Sequence, residues 1–377
     1  METENKKILS IIIPTYNAAN FLDKGLSTYV MMAQNQKFNE KVYEAAKEDR
    51  LSEVDADMDM MNKLEVLIVN DGTKDDSVEV AQKFVDRFPG TFKIINKQNG
   101  GHGSAINTGV EHATAKYFKC VDADDWVYTD ALARTIQILE KEDFDALIQS
   151  FITYDISKDL WEPRDIHCEK SDRLYNLKEI VDMWEALDYG MSFHGITYNT
   201  SFYKKLRYKL IEGVFYEDQE YATIPLSYAE KVRLLDDELY VYRLGDVNQS
   251  VSTQSQLARL PHFEAVLFKM LEHEKNLDEL PEGGREMWTR KISMFLGSLF
   301  HILFIKNPDK KSQRKYAKQL MNRIKAKSPY IYSQSKNKYR GFVILNRMHM
   351  NEKTYETKFA AFLDFLRRKF RVHRLYG

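Results

Sequence analysis

The first half of the chain alternates short apolar runs with longer amphipathic stretches. Ile8 to Ile13 is an apolar run ending at Pro14, the signature of a strand buried on both faces. Residues 20–32 read as a helix, 65–69 as a second strand, and 75–88 as a helix opened by Asp75 and Asp76 and closed by Pro89-Gly90. A strand over 92–95, a helix over 103–115, a strand over 117–121, a helix over 129–142 and a strand over 146–151 follow. Repeated strand–helix–strand units predict a mostly parallel sheet with right-handed crossovers. Such sheets bind ligands at the carboxyl ends of their strands. The polar motifs fall there: Pro14-Thr15-Tyr16-Asn17, Asn70-Asp71-Gly72, Asn99-Gly100-Gly101-His102 and Asp122-Ala123-Asp124-Asp125.

Beyond residue 151 the pattern is mixed. Strands are expected at 232–235 and 238–243, and Tyr216-Glu217-Asp218-Gln219-Glu220 opens a helix. From about 254 onward, segments 257–275, 285–306, 310–327 and 354–372 carry apolar residues at helical spacing. Two domains result: an α/β domain over 1–252, with a polar, Met-rich helical insertion at 33–63, and a helical domain over 253–377.

Composition narrows the classes. The chain has 377 residues, is 44% hydrophobic and 29% charged, and carries a net charge of -1, so no whole-protein field draws it to nucleic acid or membrane. Two cysteines, Cys120 and Cys168, make no disulfide framework and fit a reducing compartment. The N-terminal apolar run is too short for a signal peptide, and Met294 to Ile305 is well short of the roughly 20 residues of a membrane span. A cytoplasmic protein is expected.

Each motif has two readings. Alternate carboxylates at a strand end, Asp122 and Asp124, can face one divalent cation; Mg²⁺ or Mn²⁺ prefers such hard oxygens. The same residues also suit a turn and a helix cap. Asp71 can accept from a nucleobase N–H or a ribose hydroxyl, or close an Asx-turn. The Gly100-Gly101-His102-Gly103 loop opens a helix whose N-terminus attracts phosphate, but it has neither P-loop nor dinucleotide-fold spacing. His102 can touch a phosphate or simply face solvent. Glu217 and Asp218 can orient and deprotonate an acceptor hydroxyl, or stabilise a helix dipole. Arg243 can pair with a diphosphate or form a surface ion pair. His194 can join the metal or acceptor site, or pack as a buried ring.

In order and spacing, Ile11–Asn17, Ile68–Asp75, Asn99 to Gly109, Asp122–Asp125 and Glu217-Asp218 resemble the family-2 glycosyltransferases over about residues 6–252. The resemblance implies a GT-A fold (Rossmann-like, a mostly parallel sheet flanked by helices) and an inverting transfer of a sugar from a nucleotide donor, a UDP-sugar. It places Pro14, Tyr16 and Asp71 at the nucleotide, with Asn99, Gly100, His102, Gly103 and Asn107 flanking the donor. Asp122, Ala123 and Asp124 match the metal and diphosphate motif, and Asp218 the base. The chain departs from the family in having Asn70 where many relatives carry Asp, and Ile106 where they carry Arg. The loss of that Arg removes one donor contact.

The implied partners are a UDP-sugar and an acceptor in glycan, lipid-linked glycan or cell-wall polymer synthesis. The basic segment from Lys358 to Gly377 suits a peripheral contact with an anionic membrane, or packing on the catalytic domain or a partner chain in an oligomer. Two rivals are weighed. A sugar-nucleotide pyrophosphorylase would carry a Gly-rich, basic loop after the first strand, where this chain has Pro14-Thr15-Tyr16-Asn17. A non-catalytic nucleotide-sugar or glycan-binding module would not need Asp122, Asp124 and Asp218 intact.

Overall fold

The computed structural model describes residues 7–168, 173–187, 190–245, 253–355 and 357. In chain order the elements begin with β1 (Leu9–Thr15), α1 (Ala19–Ser27), α2 (Glu40–Lys47), α3 (Met58–Lys63), β2 (Leu64–Asn70), α4 (Ser77–Arg87), β3 (Phe92–Asn96), α5 (His102–His112) and β4 (Tyr117–Cys120). They continue with β5 (Trp126–Val127), α6 (Thr129–Lys141), β6 (Ala146–Asp155), β7 (Leu160–Arg164), α7 (Leu177–Asp182), α8 (Trp184–Leu187), β8 (Ile196–Asn199), α9 (Thr200–Lys205), α10 (Asp218–Thr223) and β9 (Val232–Leu244). The helical remainder is α11 (Thr253–Ala258), α12 (Leu260–Leu271), α13 (Gly284–His301), α14 (Lys310–Lys327), α15 (Pro329–Arg347) and α16 (Glu352–Thr354).

The strands form one sheet in the order β3-β2-β1-β4-β8-β6-β9-β5, with β7 beside β6. Strands β1 to β4 pair in parallel, and so do β6 and β9. Strand β8 is antiparallel to both β4 and β6, so β6 and β9 point the same way as β4. The carboxyl ends of β1, β2, β3, β4, β6 and β9 therefore share one rim, and the polar motifs lie along it. The short strands β5, β7 and β8 run against this direction.

Burial explains why the first strands read as unbroken apolar runs. Leu9, Ile11 and Ile13 enter one core layer, and Ile12 enters the layer on the opposite face. Val66 and Ile68 of β2 likewise face the first layer while Leu67 and Val69 face the second. A sheet covered on both faces needs apolar residues at every position.

The insertion after α1 belongs to the first layer. Val42, Ala46, Leu51 and Met61 are buried in it, and Arg87 of α4 donates to the carbonyls of Leu51 (3.1 Å) and Val54 (3.0 Å). Its helices are short, α2 and α3, and Asp57 caps α3 by accepting from the Met60 N–H at 3.1 Å.

Other boundaries differ from expectation. The two strands expected at 232–243 are one strand, β9, whose pairing with β6 shifts register between Gln149 and Phe151. Helix α15 was not anticipated: Pro329 occupies its first turn, and Ser328 caps it by accepting from the Ile331 N–H at 3.0 Å. Most of the helix expected at 354–372 lies outside the described residues. The chain divides into two compact units, Met1–Gln249 with Lys275–Trp288, and Ser250–Glu274 with Thr289–Gly377. No helix among the described residues is long and apolar enough to cross a membrane.

Candidate active site

Two acidic corners lie on the rim. The first follows β2. Asp71 is buried (3% exposed), and its Oδ1 accepts from Lys97 Nζ at 2.6 Å and from the Gly100 N–H at 2.9 Å. Its Oδ2 accepts from the Gly101 N–H at 2.8 Å, and Asn99 Nδ2 donates to the Asp71 carbonyl at 2.9 Å. The carboxylate thus shapes the glycine loop from within. Gly101, at φ +85°, makes the turn into α5; a Cβ there would sit 3.3 Å from the Gly213 backbone. Asp75 fastens the adjoining loops by accepting from the N–H groups of Ala19 (3.0 Å) and Ser77 (3.1 Å), and these bonds with the Thr73 and Ser77 hydroxyls hold its carboxyl down at about 2 despite burial.

The second corner follows β4, and here carboxylates crowd one another and an imidazole. Asp122 Oδ1 lies 2.8 Å from His102 Nε2, while His102 Nδ1 lies 2.6 Å from Glu217 Oε1. One imidazole therefore spans the carboxylates of two segments more than 90 residues apart. Burial works against charging this ring, yet Asp122 and then Glu217 carry its pKa well above 6.5, making it an imidazolium. The same pairing draws the Asp122 carboxyl below its ordinary value against the cost of burial. Asp125 is buried beneath; burial first, then Asp124 and Asp122, push it well above the carboxylate range. Tyr240 Oη donates to Asp125 Oδ2, and the Arg243 N–H to Oδ1 at 2.7 Å. The Asp122 N–H in turn donates to Tyr240 Oη at 3.1 Å.

His194 sits against this corner on a short turn, Phe193–Gly195. Its ring stacks on Tyr242 with centroids 4.0 Å apart, and burial takes its pKa down to about 4, leaving it neutral. Its Nδ1 is buried and has no hydrogen-bond partner. Ligand atoms of Asp122, Asp125 and His194 all lie within 4.8 Å of one another. That trio contains Asp125 where the sequence pattern pointed to Asp124, which instead lies 3.7 Å from Arg243 Nη1 on the more exposed side. Carboxylate oxygens with a neutral imidazole nitrogen suit Mn²⁺ or Mg²⁺, and the orphaned His194 nitrogen fits such a role.

Asp218 begins α10, next to Glu217. Burial, then the Glu217 charge, raise its pKa to about 6. Tyr216, at φ +74°, turns the chain into this pair, a strained conformation for a non-glycine residue. Gly103 lets the segment approach: a Cβ there would lie 2.5 Å from the Ile211 carbonyl and 2.8 Å from Glu217 Cγ.

The remaining expected residues fall as follows. Pro14 is buried in β1 opposite Val69, and Tyr16 is 47% exposed at the rim. Ala123 packs against the first core layer. Asn107 points away from the rim: Nδ2 donates to the Leu210 carbonyl and to Glu212 Oε1, and Oδ1 accepts from the Leu210 N–H at 2.9 Å. Sequence reading missed Lys119, Tyr240 and Tyr242. Lys119 is fully buried, donates to the carbonyls of His194 (2.6 Å) and Ile196 (3.3 Å), and burial lowers its pKa to about 7. A lysine inside an otherwise apolar strand was a legible signal; the two tyrosines look like any strand residue.

The sequence profile of Glycosyl transferase family 2 matches residues 10–214. The chain belongs to that family. The uncharacterized glycosyltransferase EpsJ of Bacillus subtilis is 24% identical over 63% of this chain and 61% of its own length. YibD of Escherichia coli, likewise an uncharacterized glycosyltransferase, is 26% identical over 67% of this chain and 64% of its own. The chain spans less than two thirds of either relative. Among solved structures, S. aureus TarS 1–349 in complex with UDP-GlcNAc superposes with a TM-score of 0.60 at 16% identity, covering 91% of this chain and 92% of that one. The likeness establishes the fold, which is of the GT-A type.

Proposed function

We propose that this chain is a metal-dependent inverting glycosyltransferase that moves a sugar from a UDP-sugar to an acceptor hydroxyl during glycan, lipid-linked glycan or cell-wall polymer synthesis. One observation carries the reading. Asp218, with a pKa near 6, stands beside Glu217, and Glu217 is joined through His102 to Asp122 of the acidic motif. A base tuned close to neutral pH is thus linked by one side chain to the diphosphate end of the site.

In this reading Asp218 takes the proton of the acceptor hydroxyl. The acceptor oxygen forms a bond to the anomeric carbon as the bond to the diphosphate breaks, and UDP departs. Asp122 and His194 of the compact trio would hold the cation, with Asp125 behind them and Asp124, to which the acidic motif points, closing the set from the more exposed side. The cation supplies charge neutralisation for the leaving diphosphate, and Arg243 adds a second positive group. Asp71, its oxygens occupied by Lys97 and two amides, acts by shaping the loop that flanks the nucleotide. Pro14 and Tyr16 border the nucleotide, and Asn99, Gly100 and Gly103 the donor. Asn107 serves by clasping the 210–212 segment. TarS was solved with UDP-GlcNAc, which supports a uridine donor here.

Screening UDP-sugars for donor hydrolysis with Mn²⁺ tests the reading. Release of UDP from one of them, abolished in Asp218→Asn, is the expected result. No nucleotide release from any UDP-sugar, with or without candidate acceptors, would contradict it.

A further inference from the structure

The net charge of -1 hides a sharp segregation. Residues 310–351 contain 12 Lys and Arg and no Asp or Glu, whereas the rest of the chain holds 43 Lys and Arg against 56 Asp and Glu. This stretch forms α14 and α15, which pack on each other and are joined by Arg314 Nη1 donating to Asn346 Oδ1 at 2.6 Å. Their apolar residues Ala317, Leu320, Ile324 and Ile331 turn inward, so the basic side chains other than Lys310, Arg314 and Lys338 are left outside. Lys311, Lys315 and Lys318 recur at helical spacing along α14, all exposed and without an ion pair among the described residues. On α15 and just past its end, Arg340, Ile344, Arg347 and Met348 recur on one exposed stripe. Ile344 is 56% exposed and Met348 67%, one turn apart and flanked by the two arginines.

We infer that α14 and α15 form a docking face for an anionic lipid surface. Lipid phosphates would take the lysines and arginines, and the acyl boundary would take Ile344 and Met348. A water-soluble polyanion would meet the charges equally well but would leave both apolar side chains wet, which is why the bilayer is the better match. The inference stands apart from the transferase reading, since it concerns binding alone.

Co-sedimentation of the full chain with phosphatidylcholine vesicles, with and without phosphatidylglycerol, tests it. Binding is expected only with phosphatidylglycerol, and should weaken as salt rises. Each charge removed should cost about fivefold, so Lys311→Gln/Lys315→Gln/Lys318→Gln should bind about a hundredfold more weakly, and Arg340→Gln/Arg347→Gln about twentyfold. All five residues are exposed, and unchanged circular dichroism confirms that the variants fold. Ile344→Ser/Met348→Ser should lose vesicle affinity while binding inorganic polyphosphate as before. Equal binding to neutral vesicles, or wild-type binding by both charge variants, would overturn the inference. So would an Ile344→Ser/Met348→Ser variant with undiminished vesicle binding, since the bilayer assignment rests on those two side chains.

Discussion

The two acidic corners of the rim look alike in sequence and differ in physics. Each follows a buried parallel strand, and each joins aspartate to small or polar residues. After β2, both oxygens of Asp71 are taken by protein donors. After β4, three carboxylates crowd together: Asp125 is pushed well above its ordinary value, Asp122 leans on an imidazolium, and a neutral His194 offers an unpartnered nitrogen. Carboxylates brought this close raise one another's energy, and a cation would relieve it. The contrast sets an aspartate held by the protein's own donors against those that, in the proposed reading, meet the cation and diphosphate.

The largest expected effect is at the base. Asp218→Asn should lower the transfer rate by about 10²–10⁴-fold while UDP binding, followed by calorimetry, stays unchanged. Full residual activity would move the base elsewhere. Asp71→Ala should instead act on the fold. Losing a buried carboxylate with a lysine and two amides on it should cost about 3 kcal/mol, measured by urea unfolding. A loss below about 0.5 kcal/mol, the scale of an ordinary surface change, would erase the distinction between the corners.

Smaller effects follow from pH. Because Asp218 must be deprotonated to accept a proton, the rate should climb as pH rises through about 6; a profile flat across that range would remove it as the base. The two histidines should bend the stability curve in opposite senses. His194 has a folded pKa of about 4 against an ordinary 6.5, so stability is lost as pH falls from 6.5 toward 4. His102 has its folded pKa raised, so its contribution is fully present below 6.5 and fades as pH rises through the folded value. His194→Gln should flatten only the acid limb in thermal melts, and His102→Gln only the alkaline limb.

Much of the fold was legible because β1, β2 and β4 are buried on both faces. Uninterrupted apolar runs such as 66–69 leave no other economical reading, and the motifs at their ends fixed the rim. The antiparallel strands were not legible: Ile196–Asn199 is four residues long, and its place between β4 and β6 depends on pairings made over long sequence distances. The same limit governs the site. Asp122, Glu217 and Asp218 were visible as motifs, but nothing local shows that His102 bridges two of them. Nor does spacing alone reveal that Asp125, rather than Asp124, joins the compact trio with His194. Asn107 lies in the glycine loop's own motif, yet its amide faces the 210–212 segment.

Titration of UDP into the wild-type chain and into Asp124→Ala, each with Mn²⁺ and with chelator, bears most directly on the division between the corners. The account predicts that Mn²⁺ strengthens UDP binding to the wild type and that Asp124→Ala abolishes this gain while leaving the metal-free affinity intact. Equal strengthening by Mn²⁺ in both proteins would contradict it.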